Sequence, residues 1–539
     1  MEEKDVEWLP HLSDEIVADA RGYLLDAYTV ALEGWRRGLT LRWHVKDSEK
    51  FTDMKTWNVD KPGKLFSLES KERSHFFFRT RGDKVTNQAV EVCADKEKTK
   101  DVLSKMNIRV PNGKRFYGEE LNEAIIQYAS KVGYPVVIKP ADGSFGRGVI
   151  SNIKSRKELL DAINYVRDDL KYRDVILEEY IPGDEFRLYV VGDKVVGAIQ
   201  RIPAHIVGDG KHSIKALVDL KNKERKSNPR LISCPIIINE EVASILNQLD
   251  YTLGSIPKDG EQLFLSKNSN ISLGGDPVDV LDELQPAIKK VAVQAVQAVE
   301  GLNHGAVDLI IKPNKEAVVL ELNATAQIGG LLYPVKGKSR DIPAAIIDYY
   351  FPETKSIAND KSKTYFDFHD VLRPLNSRSA DVTTVTPAQM GKLYAKKYTV
   401  IGNVQDIGFH RGLRKQAFEH YLHGFILNLE NGNIEIVVAG TDKEMIEEFK
   451  NTIWEDPERG QVREVHESFW DEPVKVGFEV KADLKTQVEQ LKNFQQELEV
   501  TEHALRKAES KNKQYHDSLS WKVSKPIRQL GGLIKNIKK

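Results

Sequence analysis

The sequence predicts a multidomain α/β (α+β) protein, and three observations carry that prediction. The chain has 539 residues, more than one hydrophobic core organises. From residue 93 onward, short apolar strands alternate with amphipathic helical segments. Residues 389–481 repeat the alternation in the compact order strand, helix, strand, strand, helix, strand. Composition agrees, with 40% hydrophobic and 29% charged residues, as in ordinary soluble domains.

Taken in order, residues 14–37 repeat apolar positions at helical spacing, and Gly38 ends the helix. "LTLRWHV" follows as a strand, so 1–92 reads as a small N-terminal α/β domain. Over 93–353, "TKDVLSKM" is helical and "LNEAIIQYASKVG" is an amphipathic helix closed by Gly133. "YPVVIKP", "GVISNI", "DVILEEYI" and "EFRLYVVGDKVVGAIQRIP" are strands, the last folded at the "GD" of 192–193. Residues 282–300 form a helix apolar enough to be buried. "GAVDLIIKPNKEAVVLELNAT" is a pair of antiparallel strands joined at "PNKE". Residues 354–388 are polar without a clear period and read as a linker. The order of elements in 389–481 is that of a ferredoxin-like α/β sandwich. Residues 482–513 read as one long helix with Leu484, Leu491, Leu498 and Leu505 every seven residues. Half of that seam is apolar, which suits a short coiled coil joining copies of the chain, and equally a solvated helix docking one edge on its own chain.

Formal net charge is −1, so no nucleic-acid partner is read from the chain as a whole. Two cysteines, Cys93 and Cys234, rule out a disulfide framework and imply a reducing, cytoplasmic setting. The acidic N-terminus has no apolar core of a signal peptide, and no apolar run reaches membrane-spanning length. The tail 514–539 carries basic residues and a Trp521 with apolar positions at helical spacing. It reads either as a peripheral contact for the inner membrane face or as a disordered basic end.

The chemistry concentrates in four places. Glu321 and Asn323 alternate along a strand and share a face, and Asp308 lies on the preceding antiparallel strand. Two carboxylates and an amide oxygen are hard ligands for magnesium (or manganese), with positions left for nucleotide phosphates. An exposed polar sheet face is the alternative, but the flanking runs are apolar. In "VVIKPADGSFGRGVI" Lys139 ends a strand, and Gly143, Gly146 and Gly148 make a hairpin tip able to fold over a nucleotide. In "VILEEYIPGDE" a strand ending in Glu178, Glu179, Tyr180 and Ile181 presents backbone groups at a cleft edge, with Glu185 beyond for ribose hydroxyls.

These pieces, in this order, resemble the ATP-grasp superfamily. The nearest likeness is to the ATP-grasp module of cyanophycin synthetase and bifunctional glutathione synthetase, over roughly 85–353. The resemblance makes 1–92 a pre-grasp domain, 93–353 the ATP-grasp domain and 139–149 its glycine lid. It implies that Lys96, Lys139 and the Gly146 turn contact ATP phosphates and that Glu178, Glu179 and Ile181 line the adenine site. Glu185 would hold the ribose, and Asp308, Glu321 and Asn323 the magnesium. Arg201, in "QRIPAHIVGDG", matches an arginine near the phosphoryl group, catalytic together with Lys139. The implied activity is ATP- and Mg-dependent ligation of a small-molecule or peptide carboxylate to an amine through an acyl phosphate. Ser266 stands where those relatives carry arginine, so the substrate is not carried over.

Residues 400–440 resemble acylphosphatase. Gly402, Val404, Gln405 and Phe409 match its loop, and Asn428 its catalytic asparagine. The phosphate-binding arginine is His410 here, and a loop glycine is Asp406, so the resemblance implies a degenerate site. Two further readings of the whole chain stand beside the ligase: a membrane-associated nucleotide-binding scaffold with incidental turnover, and an acylphosphatase-type hydrolase of the acyl phosphate.

Overall fold

A computed structural model describes residues 6–142, 148–356, 363–405, 407–455, 460–481 and 501. The chain forms two compact units. The first comprises residues 1–393 with 472–476, the second residues 394–471 with the chain from 477 onward.

The first unit opens with the helix Leu25–Arg36. Every one of its residues is buried. It begins well after residue 14, because Gly22 takes a left-handed φ of +79° and a short 3-10 turn, Ala18–Ala20, precedes it. One side meets a five-stranded antiparallel sheet ordered Val382–Thr384, Thr40–His44, Leu65–Glu69, Ser74–Phe78, Arg81–Gly82. Gly34 lets the helix approach that closely, since a Cβ there would lie 2.4 Å from a methyl of Leu68. The helix Ile342–Tyr350 shares the same core. Charged residues of the buried helix are all answered: Asp26 by Arg79 at 2.6 Å, Glu33 by Arg37 at 2.7 Å, and Arg36 by the carbonyls of His11 and Thr364.

The segment expected as a linker, 354–388, carries ordered elements. The helix Phe368–Asn376 buries Phe368, Leu372 and Leu375, and Val382–Thr384 is the edge strand of the N-terminal sheet. Both signals are short, and Pro374 lies inside the helix, which hides its period.

Two sheets build the middle of the unit. The first is antiparallel, ordered Gly113–Phe116, Val175–Glu179, Val136–Pro140, Ile150–Ile153. Helices Asn122–Val132 and Arg156–Asn164 share its core. The second is antiparallel, ordered Asp276–Asp279, Lys194–Ile202, Asp184–Val191, His304–Ile311, Ala317–Asn323. Strand alternation divides its two faces. Phe186, Leu188, Val190, Val307, Leu309 and Leu322 join one core with the helix Pro286–Gln297, which starts at its proline rather than at residue 282. Glu185, Arg187, Arg201, His304, Asp308, Glu321 and Asn323 belong to the other alternation.

His304 is fully buried between two phenols, with Tyr189 and Tyr350 oxygens each 3.1 Å from its ring nitrogens. Burial, helped by Arg81, pushes its pKa down to about 3. The folded value lies below the unfolded one near 6.5, so the neutral ring contributes stability that is complete above pH 6.5 and is lost as pH falls toward 3. His304→Gln is expected to flatten the fall of stability between pH 6 and 4 by about 1 kcal/mol per pH unit. Urea titrations of both proteins across that range check this; equal slopes would contradict it.

The second unit contains the predicted order of elements. Its sheet runs Gln461–Phe469, Tyr394–Asn403, Ile434–Gly440, His423–Asn428, with Phe478–Lys481 added parallel to the last. Helices Ile407–Glu419 and Lys443–Trp454 complete it, around a core that includes Tyr398, Phe409, Leu413, Ile436 and Phe449. The expected long helix 482–513, apart from Thr501, and the tail 514–539 lie outside the described residues. Among the described residues no helix is long and apolar enough to cross a membrane.

Candidate functional site

The oxygen cluster sits where strand alternation puts it. Asp308 and Glu321 are direct cross-strand partners, and a register shift after Asp308 keeps Glu321 opposite it. Asn323 Nδ2 is 3.2 Å from Glu321 Oε1 and 3.3 Å from Asp308 Oδ2. Asp308 is 1% exposed. Arg187 grips it with two hydrogen bonds, Nε to Oδ1 and Nη2 to Oδ2, both 2.8 Å. Arg201 Nη2 adds a third contact at 2.9 Å and reaches Glu185 at 2.5 Å. Burial alone would raise the Asp308 pKa, but Arg187 and Arg201 outweigh it and hold the carboxylate well below its usual range. Glu321 moves the other way, raised by burial and by the Asp308 charge beside it.

Two neighbouring carboxylates, one of them raised in pKa by burial and by the charge of the other, form a donor set that a hard divalent cation suits. The cluster has two acids and one amide. Among the described residues no group of three or more His, Cys, Asp or Glu is arranged to hold a metal. Any ion here would therefore complete its shell with phosphate and water oxygens.

The cationic cluster lies on the four-stranded sheet. Glu178 is buried and bridges two ammonium groups, Lys139 through Oε1 and Lys100 through Oε2. Burial pushes the Glu178 pKa up, and the two lysines overcome this and lower it. Gly113 permits the neighbouring strand to pass, since a Cβ there would lie 2.4 Å from the Leu177 carbonyl oxygen. Lys96 starts the helix Lys96–Lys105, capped by Asp95, and its Nζ is 3.5 Å from the Ala141 carbonyl. Burial holds its ammonium below the usual lysine range. The charges that act on it are those of Glu321, Lys139, Glu178 and Asp142. Lys96 thus feels the charge of both clusters.

The remaining expected residues fall at the edges. The Glu179 side chain turns to Arg109 Nη2 at 2.6 Å and to the Asn112 N–H at 2.7 Å, while its own N–H is donated to the Asn112 carbonyl. Ile181 is buried just beyond. Glu185 is shared by Arg201 and the Ser269 hydroxyl. Gly148 has a left-handed φ of +77°, and a Cβ there would meet Pro140 at 2.8 Å. Gly143 and Gly146 lie outside the described residues. Two participants escaped the sequence reading. Lys100 is one helical turn from Lys96, and Arg187 is two strand positions from Glu185, so each periodicity pointed to them.

In the second unit His410 is 4% exposed. Asn428 carries a buried Oδ1 without a hydrogen-bond partner among the described residues. Gln405 Nε2 holds the adjoining hairpin by the carbonyls of Leu429 at 2.7 Å and Asn433 at 2.9 Å. Asp406 lies outside the described residues.

Residues 93–209, which contain Lys96, Lys100, Lys139, Glu178 and Arg201, match the model of the RimK-like ATP-grasp domain. The chain carries an ATP-grasp domain. Around this ATP-grasp domain the chain is 34% identical over 273 residues to cyanophycin synthetase of Crocosphaera subtropica, covering 49% of this chain and 31% of that protein. It is 32% identical over 305 residues to the glutathione biosynthesis bifunctional protein of Clostridium perfringens, covering 54% and 38%. The chain therefore spans only about a third of the length of these relatives. A bifunctional glutathione synthetase from Pasteurella multocida superposes with a TM-score of 0.42 at 27% identity, over 54% of this chain and 41% of that one. Beyond the ATP-grasp domain, residues 396–480 match the acylphosphatase family.

Proposed function

We propose that the chain is an ATP- and Mg-dependent ligase that activates a carboxylate as an acyl phosphate and passes the acyl group to an amine. The supporting observation is that Lys96 feels charges of both clusters, Glu321 of one and Lys139 and Glu178 of the other. In this reading Lys96 and Lys139 bind ATP phosphates, the lid turn including Gly146 covers them, and the Glu178–Ile181 segment takes adenine. Glu185 takes the ribose, and Asp308, Glu321 and Asn323 hold Mg2+ (or Mn2+). When bound, the ion offsets charge on the phosphate oxygens.

A substrate carboxylate oxygen attacks the γ-phosphorus, the β–γ bridging bond breaks, and ADP leaves. Arg201, which already bridges two carboxylates, would stabilise charge on the moving phosphoryl group. The amine then attacks the acyl carbon, inorganic phosphate departs with the electron pair, and the amine loses its proton. Closing the lid keeps water from hydrolysing the intermediate. ADP release by full-length protein with magnesium and a panel of amino acids and short peptides tests the reading. Absence of substrate-dependent ADP across the panel would favour a nucleotide-binding scaffold instead.

For the second unit we infer a non-catalytic role. His410 occupies the position of the family's phosphate-binding arginine and is buried, so the main cation for an acyl phosphate is missing. Full-length Lys139→Ala protein, with the first site silenced, is expected to hydrolyse acetyl phosphate no faster than buffer. Clear turnover that disappears on adding Asn428→Ala would overturn this.

A further inference from the structure

The helix Ile407–Glu419 of the second unit has one buried side and one bare side. Phe409, Leu413 and Ala417 sit in the core of the unit. On the opposite side Arg411, Arg414, Lys415 and Phe418 follow one another at helical spacing and are exposed, Phe418 by 48%. Together with Glu419 they line a groove of about 390 Å³. Within it Lys415 Nζ is 3.6 Å from Glu419 Oε1, and the Arg414 guanidinium lies over the Phe418 ring at 5.2 Å. The groove therefore offers three cations against one carboxylate, beside an aromatic ring, in a chain whose net charge is −1. Such a surface suits an anionic partner that also brings apolar side chains.

A partner of that kind follows in the same chain. The strand Phe478–Lys481 packs against this helix, Phe478 sharing one core with Phe409 and Leu413, and Lys481 stands opposite Leu427. Residues 482–500 and 502–539, beyond it, lie outside the described residues. In the sequence, residues 494–505 carry Glu497, Glu499 and Glu502 and no lysine or arginine. Counted at helical spacing, Phe494, Leu498 and Leu505 form a ridge with Glu497 and Glu502 on its two flanks. Residues 482–493 span roughly 18 Å as a helix and ~40 Å when extended, against roughly 20 Å for the length of Ile407–Glu419. Either form lets the ridge reach the groove. A coiled coil between copies suits the segment less well. Pairing two copies in parallel through the leucine repeat sets Glu502 against Glu502, a like-charge contact in the seam. Opposite Arg411 and Arg414 that carboxylate is answered.

We propose that residues 494–505 dock on the Arg411–Phe418 face of their own chain. Glu497 and Glu502 meet the two guanidinium groups and Lys415. Phe494, Leu498 and Leu505 cover the Phe418 ring and the aliphatic stems of the basic side chains. Exposed ion pairs are individually weak, but the tether holds the two surfaces at an effective concentration on the order of millimolar, so modest contacts suffice. The second unit then serves as a docking platform for the chain that follows it, a use that needs no turnover. This inference is independent of the ligase reading above.

The test is native digestion of full-length protein with a low dose of chymotrypsin, read by mass spectrometry at Phe494 and Leu498, with sedimentation velocity for the oligomeric state. In wild type, cleavage at these sites is expected to be independent of protein concentration and to quicken as NaCl rises from about 50 to about 500 mM. Arg411→Glu with Arg414→Glu is expected to speed it roughly 10-fold, and Glu497→Arg with Glu502→Arg to do the same. All four changes together should return it to within about 2-fold of wild type. Glu497→Gln with Glu502→Gln leaves the helix untouched, and faster cleavage is expected there too, so the result stands even if the reversed helix misfolds. Equal rates in all variants, or a combined variant that stays fast, would overturn the docking. Protection that grows with protein concentration, alongside a dimer in sedimentation, would overturn it in favour of a second copy. Protection that appears only with vesicles of anionic phosphatidylglycerol would give the face to a lipid surface instead.

Discussion

Lys139→Ala is expected to cut substrate-dependent ADP formation by at least about 100-fold, the usual effect of deleting one preorganised donor to a transferring group. Its stability should change much less, because Glu178 keeps Lys100 as a partner. Glu321→Ala should lose turnover to a similar degree with the opposite stability signature. Its carboxyl is raised by burial and by the Asp308 charge, so removing it relieves a repulsion and the variant should melt at or above wild type. Coupled ADP assays and thermal melts on the same preparations separate the two quantities. Unimpaired turnover in either variant would mean that the residue lies outside the site.

Glu178→Ala is expected to be the most destabilising single change at this centre, by about 3–5 kcal/mol, because it strands two buried ammonium groups at once. The loss should depend on pH in a defined direction. Burial already lowers the Lys100 pKa, and losing the carboxylate lowers it further. A lysine with a depressed folded pKa stabilises most above its unfolded value near 10.4, so the variant should recover stability as pH rises from 7 toward 10. Urea titrations at pH 7 and pH 9.5 check this. A variant equally destabilised at both values would mean that lost packing, not stranded charge, is the cause.

Much of the site was legible because its chemistry rides on regular periods. Asp308, Glu321 and Asn323 follow from alternation on two strands, and flanking apolar runs told that they are enclosed. The same rule reaches Arg187 from Glu185, and the helical rule reaches Lys100 from Lys96, yet neither carries a motif that draws attention. What sequence could not show is which charge answers which. The bidentate hold of Arg187 on Asp308 needs strands that are 121 positions apart. Elsewhere, local signals failed where they were short or interrupted. A three-residue edge strand at Val382–Thr384 has too few positions to display a period. Before Leu25 the apolar spacing continues straight through Gly22, whose left-handed backbone stops the helix regardless.

The helix Leu25–Arg36 also bears on how the chain is made. Its faces are covered by Leu68 and its neighbours, but also by Ile342, Ile346 and Ile347 of a helix encoded far downstream and by Phe366 and Phe368 beyond that. A ribosome adding roughly 5–20 residues per second needs on the order of 15–60 s to travel from one helix to the other. During that interval a strongly apolar segment with four ionisable side chains has no complete enclosure. The helix is thus enclosed only after residues beyond 340 have been made, and its interval of exposure is set by translation speed.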